Sequence, residues 1–491
     1  MKRPALLIAL LLVLLGVTNY LTYETARSRV PPEAPVYPPP PPYEGPRDPL
    51  VREKLAWWQD LKFGLMMHWG PYSQWGVVES WSICSEDEPW CRRPTNDYVQ
   101  YVKDYENLQT TFNPVAFDPD RWAEAAAYAG MRYVVFTTKH HDGFSMFDTR
   151  HTDYRITGEE TPFSSHPRAN VTREIFDAFR ARDFGIGVYF SKPDWHHDDY
   201  WAPDWATPDR NVNYDTAKYP ERWQRFNDFT YNQLEELMTG YGPVDILWLD
   251  GGWVRPRSTI TSDVAAWCKS PYEQDVDMAR IATMARGHQP GLIIVDRTVA
   301  GPYEDYRTPE QHVPEEPLDF PWETCMTMAS SWSYNPDDAY KPTRTLIHYL
   351  VDIVSKGGNY LLNIGPSPEG DYHPDAYRRL REIGDWMQVN SEAIYGTNPI
   401  APYQDGPFRF TAREDGTVYG IFLAEEDQAT MPAEVALHGI RLAPESTLTL
   451  LGTDQPLSWE TDGPGVRIQI PDALQRTPPA DHAWVFKGTL E

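Results

Sequence analysis

The stretch Tyr133-Val-Val-Phe-Thr-Thr-Lys-His-His-Asp142 reads as a strand that begins apolar and β-branched and stops at a polar tip. A continuous apolar run of this kind suits a strand covered on both faces, as in a parallel sheet. Upstream, Pro119 to Tyr128 has helical spacing; downstream, Glu174 to Arg182 leads into a second run, Ile186 to Ser191. Strand, crossover helix and strand is the unit of a parallel sheet, and the pattern recurs along the chain. The other strand candidates are Phe63 to His68, Asp245 to Asp250, Leu292 to Arg297 and Tyr360 to Ile364; the other helices are Asn227 to Leu237, Met278 to Arg286 and Arg344 to Ser355. Polar residues gather where the runs end, at His68, Lys139 to Asp142, Ser191, Asp250, Arg297 and Asn363, and a (β/α)8-type barrel builds its active site on that rim. An open doubly wound sheet also collects ligands at strand ends, but Gly185-Ile-Gly187 lies inside a strand and lacks the third glycine of a phosphate loop. The expected fold is therefore α/β, a (β/α)8-like, TIM-type barrel. After Glu392-Ala-Ile-Tyr395 the pattern changes to short alternating segments such as Phe408 to Ala412, Val418 to Leu423 and Val466 to Ile470, which read as a C-terminal β-sandwich.

Composition narrows the function. Across 491 residues, 44 Lys plus Arg face 71 Asp plus Glu, and the net charge of −27 argues against nucleic acid or an anionic membrane surface as partner. A neutral substrate meets no such penalty. The 19 Trp and 29 Tyr exceed what a core of this size needs, and flat rings suit the faces of sugars. At the N-terminus, Lys2 and Arg3 precede an apolar run from Ala5 to Leu15, the profile of a signal peptide or, if uncleaved, a membrane anchor. Pro31, Pro32, Pro35 and Pro38 to Pro42 then read as an extended spacer. The expected organisation is a signal peptide or anchor over 1–25, a Pro-rich spacer over 26–50, a catalytic barrel over 51–396 and a β-sandwich over 397–491. It carries an expected extracytoplasmic location, periplasmic, secreted or held by a membrane tether. Four cysteines are too few to staple the domain, although export would permit Cys84 to pair with Cys91.

Asp250 ends the run Asp245-Ile-Leu-Trp-Leu-Asp250 and precedes Gly251-Gly252-Trp253, so a carboxylate stands at a strand tip beside pliable backbone and an aromatic ring. Such a group can attack a sugar's anomeric carbon if a second carboxyl group serves as acid and then base. The bland alternative is an Asp that caps the next helix. Glu310, in Tyr306-Arg-Thr-Pro-Glu310, and Glu323, in Pro321-Trp-Glu323, compete for the second role; Trp322 beside Glu323 could raise its pKa, whereas Glu310 lies on a longer loop. His68 and the pair His140-His141 suit sugar hydroxyls or a metal, with loop support by one of the pair as the plainer reading. A zinc-dependent barrel hydrolase is the metal alternative, but the first strand lacks a His-x-His pair. Arg297 can reach a ring hydroxyl or a carboxylate, and Glu79, Trp81, Tyr189 and Trp248 supply further polar groups and rings. No Gly-x-Ser-x-Gly elbow or His-Glu-x-x-His helix is present.

The motifs Lys62-Phe-Gly-Leu-Met-Met-His68-Trp-Gly70, Thr138-Lys-His-His-Asp-Gly-Phe144, Leu247-Trp-Leu-Asp-Gly-Gly252, Pro321-Trp-Glu-Thr-Cys325 and Gly357-Gly-Asn-Tyr-Leu-Leu-Asn-Ile-Gly365 together resemble the α-L-fucosidases of glycoside hydrolase family 29. The resemblance implies a retaining exo-hydrolase of terminal α-L-fucose on glycans or polysaccharides, needing no cofactor and no metal. It implies Asp250 as nucleophile and Glu310 as acid/base, with Glu323 as the alternative or as site support. It further implies His68, His140 and His141 as fucose ligands, with Tyr189, Trp248 and Arg297 at pocket positions. In the first rim loop, Glu79-Ser-Trp-Ser-Ile-Cys84 departs from the family's Glu-Trp-Tyr run, and α-L-galactose, larger by one hydroxyl, is the alternative terminal sugar.

Overall fold

Asp48 caps the helix Pro49–Leu61 through Leu50 N–H, and Pro49 fits a first turn whose N–H would have no partner. The helix delivers Lys62 to the start of β1, Phe63–Met67, and turns Trp58 inward, where it stacks on Tyr306 with centroids 3.9 Å apart. The computed structural model describes residues 37–84, 91, 93, 95–205, 209–269, 271–426 and 428–491. The apolar N-terminal run and the first part of the Pro-rich spacer, residues 26–36, lie outside the described residues. Among the described residues no helix is long and apolar enough to cross a membrane. Residues 37–40 and 260–267 belong to a small unit of their own, in which Ser262 N–H donates to the Pro38 carbonyl at 2.8 Å.

β2 (Tyr133–Lys139), β3 (Gly185–Ser191), β4 (Ile246–Asp250), β5 (Ile293–Asp296), β6 (Glu323–Thr327) and β7 (Asn359–Ile364) join β1 in one seven-stranded parallel sheet, ordered β5-β4-β3-β2-β1-β7-β6. All strands but β4, whose last residue is half-buried, are buried at every position, as expected of a sheet covered on both faces. The edge strands β5 and β6 are consecutive in sequence, and the segment between them takes the place of an eighth strand. It bridges Val295 to Glu304 on one side, then Arg307 to Trp322 and Glu310 to Cys325 on the other. The curled sheet is thus a TIM-like barrel closed by short bridges. Its floor is tightly packed: a Cβ on Gly64 would lie 2.4 Å from the Tyr133 ring.

His68 and Arg297 fall one residue beyond the strands to which the apolar runs assigned them. β6 has no counterpart among the expected strands, because Glu-Thr-Cys-Met-Thr alternates polar residues into the barrel interior. The helices Pro49–Leu61, Tyr98–Glu106 and Pro374–Asn390 were likewise not signalled by the crossover pattern. The C-terminal domain has a five-stranded antiparallel sheet, β12-β15-β10-β9-β8, and a three-stranded one, β11-β14-β13, with β8 at Asn398–Asp405, β9 at Phe408–Ala412, β10 at Thr417–Leu423, β11 at Glu434–Leu437, β12 at Thr449–Leu450, β13 at Ser458–Asp462, β14 at Gly465–Gln469 and β15 at Ala483–Thr489. Phe408, Phe410, Leu450, Ile468, Trp484 and Phe486 fill the space between them. Arg409 pairs with Asp352 on the helix Thr343–Ser355, and Trp386 Nε1 donates to the Ala483 carbonyl at 2.9 Å, which ties the sandwich to the barrel wall.

Candidate active site

β4 ends by presenting Asp250 at the C-terminal mouth of the barrel, with its side chain 15% exposed. The chain then turns at Gly251 with φ +84°, where a Cβ would lie 2.2 Å from Pro193 Cδ, so the turn needs glycine. Asp250 Oδ2 accepts from the Tyr189 hydroxyl at 2.7 Å, Oδ1 accepts from Arg297 Nη1 at 3.2 Å, and His141 Nε2 lies 3.9 Å away. Burial pushes this carboxyl up, but the Arg297 guanidinium, His141 and the Tyr189 bond outweigh it and hold Asp250 well below the usual carboxylate range. It is a carboxylate at any ordinary pH.

The same guanidinium reaches a second carboxylate. Arg297 Nη2 pairs with Glu310 Oε2, while Nε donates to Thr308 Oγ1 at 3.2 Å. Glu310, half exposed, sits on the bridging segment between β5 and β6, so the irregular closure of the barrel is what carries it to the rim. One planar cation thus spans Asp250 and Glu310, which draws the two carboxylates close together.

The three histidines line the same mouth. The ring centroids lie 5.4 Å apart for His68 and His140 and 4.2 Å apart for His140 and His141. His68 Nδ1 bonds Asn363 Oδ1 at 2.8 Å, and His140 Nδ1 meets Ser80 Oγ at 2.5 Å. Burial lowers all three: His68 to about 4, His141 to about 3 and His140 well below its ordinary value. They are neutral imidazoles near neutral pH. Trp81, half-buried, sets its ring edge-on to His141 at 5.4 Å and packs against Trp195 and Trp253, forming an aromatic wall. Glu79 is 2% exposed and sits at φ +35°, strain that the packing around it must hold. Its Oε1 accepts from Ser333 N–H at 2.8 Å, yet burial, with the charge of Glu310 adding, raises its carboxyl to about 8.

The two glutamates separate clearly. Glu323 opens β6, at the opposite end of the barrel from Asp250, and is fully buried. Tyr133 O–H, Trp248 N–H and Tyr306 O–H donate to its oxygens at 2.6, 3.2 and 3.2 Å. Burial raises it to about 7. Tyr189 and Trp248 are also enclosed, 0% and 1% exposed, and their rings stack 5.2 Å apart, with the Tyr189 ring 5.5 Å from His68 and 5.7 Å from His140. The barrel mouth also recruits residues that the sequence pattern did not single out. Ser80 binds His140, Ser333 binds Glu79, and the Trp332 ring lies 5.2 Å from His68. None stands in a periodic run; Ser331-Trp332-Ser333 is a polar loop after β6 with nothing to mark it.

His140, His141 and Asp250 each offer a ligand atom within 4.8 Å of the others, the one such group among the described residues. The donor set is poor for a cation, because Arg297 already occupies Asp250 and its charge would oppose a metal there. What the mouth does offer is an ionised carboxylate, a second carboxylate on the same arginine, neutral imidazoles and an aromatic wall. That suits nucleophilic attack at carbon followed by hydrolysis.

Comparison with known proteins bears on this chemistry. The Alpha-L-fucosidase family profile matches residues 37–392, and the Alpha-L-fucosidase C-terminal domain profile matches residues 404–489. Mouse tissue alpha-L-fucosidase is 29% identical over 88% of this chain and 91% of its own length; the human tissue enzyme is 29% identical over 88% and 89%. Among solved structures, alpha-L-fucosidase isoenzyme 1 from Paenibacillus thiaminolyticus superposes with a TM-score of 0.72 at 30% identity, covering 90% of this chain and 100% of that one.

Proposed function

The chain belongs to the α-L-fucosidases of glycoside hydrolase family 29, and on that footing we propose that it releases terminal α-L-fucose from glycans or polysaccharides by double displacement with retention. The observation that carries the reading is the single guanidinium of Arg297 shared by Asp250 and Glu310, since a retaining enzyme needs its two carboxyl groups close together.

In the first step Asp250 attacks the anomeric carbon as the bond to the glycosidic oxygen breaks, and the Glu310 carboxylic acid gives that oxygen its proton. A fucosyl ester of Asp250 results. In the second step the Glu310 carboxylate takes a proton from water, the water oxygen attacks the same carbon from the face the aglycone left, and Asp250 departs as carboxylate. Arg297 and Tyr189 keep Asp250 ionised and aimed. The neutral histidines bind ring hydroxyls without placing positive charge beside the oxocarbenium-like transition state. Glu79, protonated below about pH 8, serves as a donor to the sugar, and Trp81 offers its ring to an apolar sugar face. Export of the enzyme is part of the proposal and rests on the sequence of residues 1–25.

Proton NMR of an aryl α-L-fucoside digest tests the stereochemistry. The α-anomer of free fucose appears first and the β-anomer only as mutarotation proceeds; β-anomer at the earliest times would overturn retention.

A further inference from the structure

Ser80 lies in the short helical turn Glu79–Ile83, is 0% exposed, and has two partners. Its Oγ accepts from the backbone N–H of Asp142 at 2.9 Å and meets His140 Nδ1 at 2.5 Å. A hydroxyl has one proton and two lone pairs. If His140 donated from Nδ1, the serine proton would be buried without an acceptor, at a desolvation cost that interiors avoid. Ser80 therefore donates, and His140 keeps its own proton on Nε2, which hydrogen-bonds to nothing among the described residues.

His68 is set the other way. Asn363 Nδ2 donates to the Trp332 carbonyl at 2.7 Å, which fixes the amide so that Oδ1, an acceptor only, faces His68 Nδ1 at 2.8 Å. His68 must donate from Nδ1, leaving a bare lone pair on Nε2. The two rings, 5.4 Å apart and inclined at 67°, thus carry opposite tautomers.

We infer that Ser80 is a positioning residue that locks His140 as an Nε2–H donor opposite the acceptor His68, so that the pair reads two sugar hydroxyls in one sense only. The hydroxyl facing His140 must accept, and the one facing His68 must donate. The inference rests on the proposed sugar-binding role of the histidines and adds what dictates their polarity.

The ring nitrogens of His140 in nitrogen-15 histidine-labelled protein provide the test, read alongside kinetics on an aryl α-L-fucoside. The wild type shows His140 protonated at Nε2 and His68 at Nδ1. Ser80→Ala shifts His140 toward the Nδ1 form and lowers kcat/KM about ten-fold, the scale of one neutral hydrogen bond. Ser80→Thr, which keeps the hydroxyl, restores kcat/KM to within about three-fold of wild type. Ser82→Ala, in the same turn but bonded to neither histidine, leaves both readouts unchanged. A wild-type His140 protonated at Nδ1 overturns the inference whether or not any variant folds; so does Ser80→Ala with an unmoved tautomer or an unmoved kcat/KM. The wild-type tautomers are read without substrate, so absence of fucoside turnover would count against the proposed function and not against this assignment.

Discussion

Both ends of the barrel hold carboxyl groups, and their surroundings are opposite in kind. At the C-terminal mouth Asp250 and Glu310 share the Arg297 guanidinium; at the other end Glu323 is caged by neutral donors from Tyr133, Trp248 and Tyr306. Burial acts upward on Asp250 and Glu323 alike. The cation decides the outcome: Asp250 is held ionised, whereas Glu323 rises to about 7 although three donors hydrogen-bond to it. A nucleophile needs its charge kept inside a pocket, and an arginine at contact does this where hydroxyl and indole donors do not. Trp248 joins the two ends, donating to Glu323 while its ring stacks under Tyr189 and lies 5.3 Å from the Arg297 guanidinium.

Removing the carboxylate at the mouth is the harshest way to break this contrast. Asp250→Ala loses kcat/KM on the order of 10⁴-fold or more, with an unchanged thermal midpoint as the check on folding. Glu310→Ala comes next: it loses about 10²- to 10⁴-fold on a glycan whose leaving oxygen needs a proton, and much less on a nitrophenyl fucoside whose leaving group does not. Equal losses on the two substrates would remove Glu310 from the acid role.

Glu323→Gln probes the opposite end. The carboxyl rises from 4.5 to about 7 on folding, so the folded state holds more protons between those values and wild-type stability falls as pH rises across that window. The expected decline is on the order of 3 kcal/mol at most. Glutamine cannot ionise, so urea unfolding of the variant lacks that component of the decline, while activity stays within about three-fold of wild type because the amide keeps the carboxyl group's shape, its oxygen still accepts from Trp248 and Tyr306, and the Tyr133 hydroxyl can turn to accept from its nitrogen. A large loss of kcat instead would assign Glu323 to the chemistry. Least of all should change on chelation: prolonged dialysis against EDTA is expected to leave kcat/KM unaltered, since Arg297 already compensates Asp250.

Much of this contrast was legible in the residues, and where it was not the reason is local. Tyr133–Lys139 and Pro119–Tyr128 were found to the residue, because an unbroken β-branched run and a capped amphipathic turn are strong local signals. β6 was missed because a strand lining a barrel can alternate Glu and Thr inward when other strands supply their partners, here Tyr133 and Trp248. Proximity in sequence to Trp322 made Glu323 a candidate acid, but the ends of a strand differ by which mouth they face, and no local pattern encodes that. Glu310 depends on a closure made by isolated bridges, which has no periodicity at all. Ser80 and Trp332 are reached only through tertiary contacts with His140 and His68.

The most direct test of the shared-arginine pair is azide trapping in two variants with an activated aryl α-L-fucoside. In Asp250→Gly, azide occupies the space of the missing carboxylate and attacks from that face, giving β-L-fucosyl azide. In Glu310→Gly, the fucosyl ester of Asp250 still forms and azide opens it from the other face, giving α-L-fucosyl azide. Opposite anomers from the two variants are the predicted result; the same anomer from both, or no rescue of either, would contradict the assignment of Asp250 as nucleophile and Glu310 as acid/base.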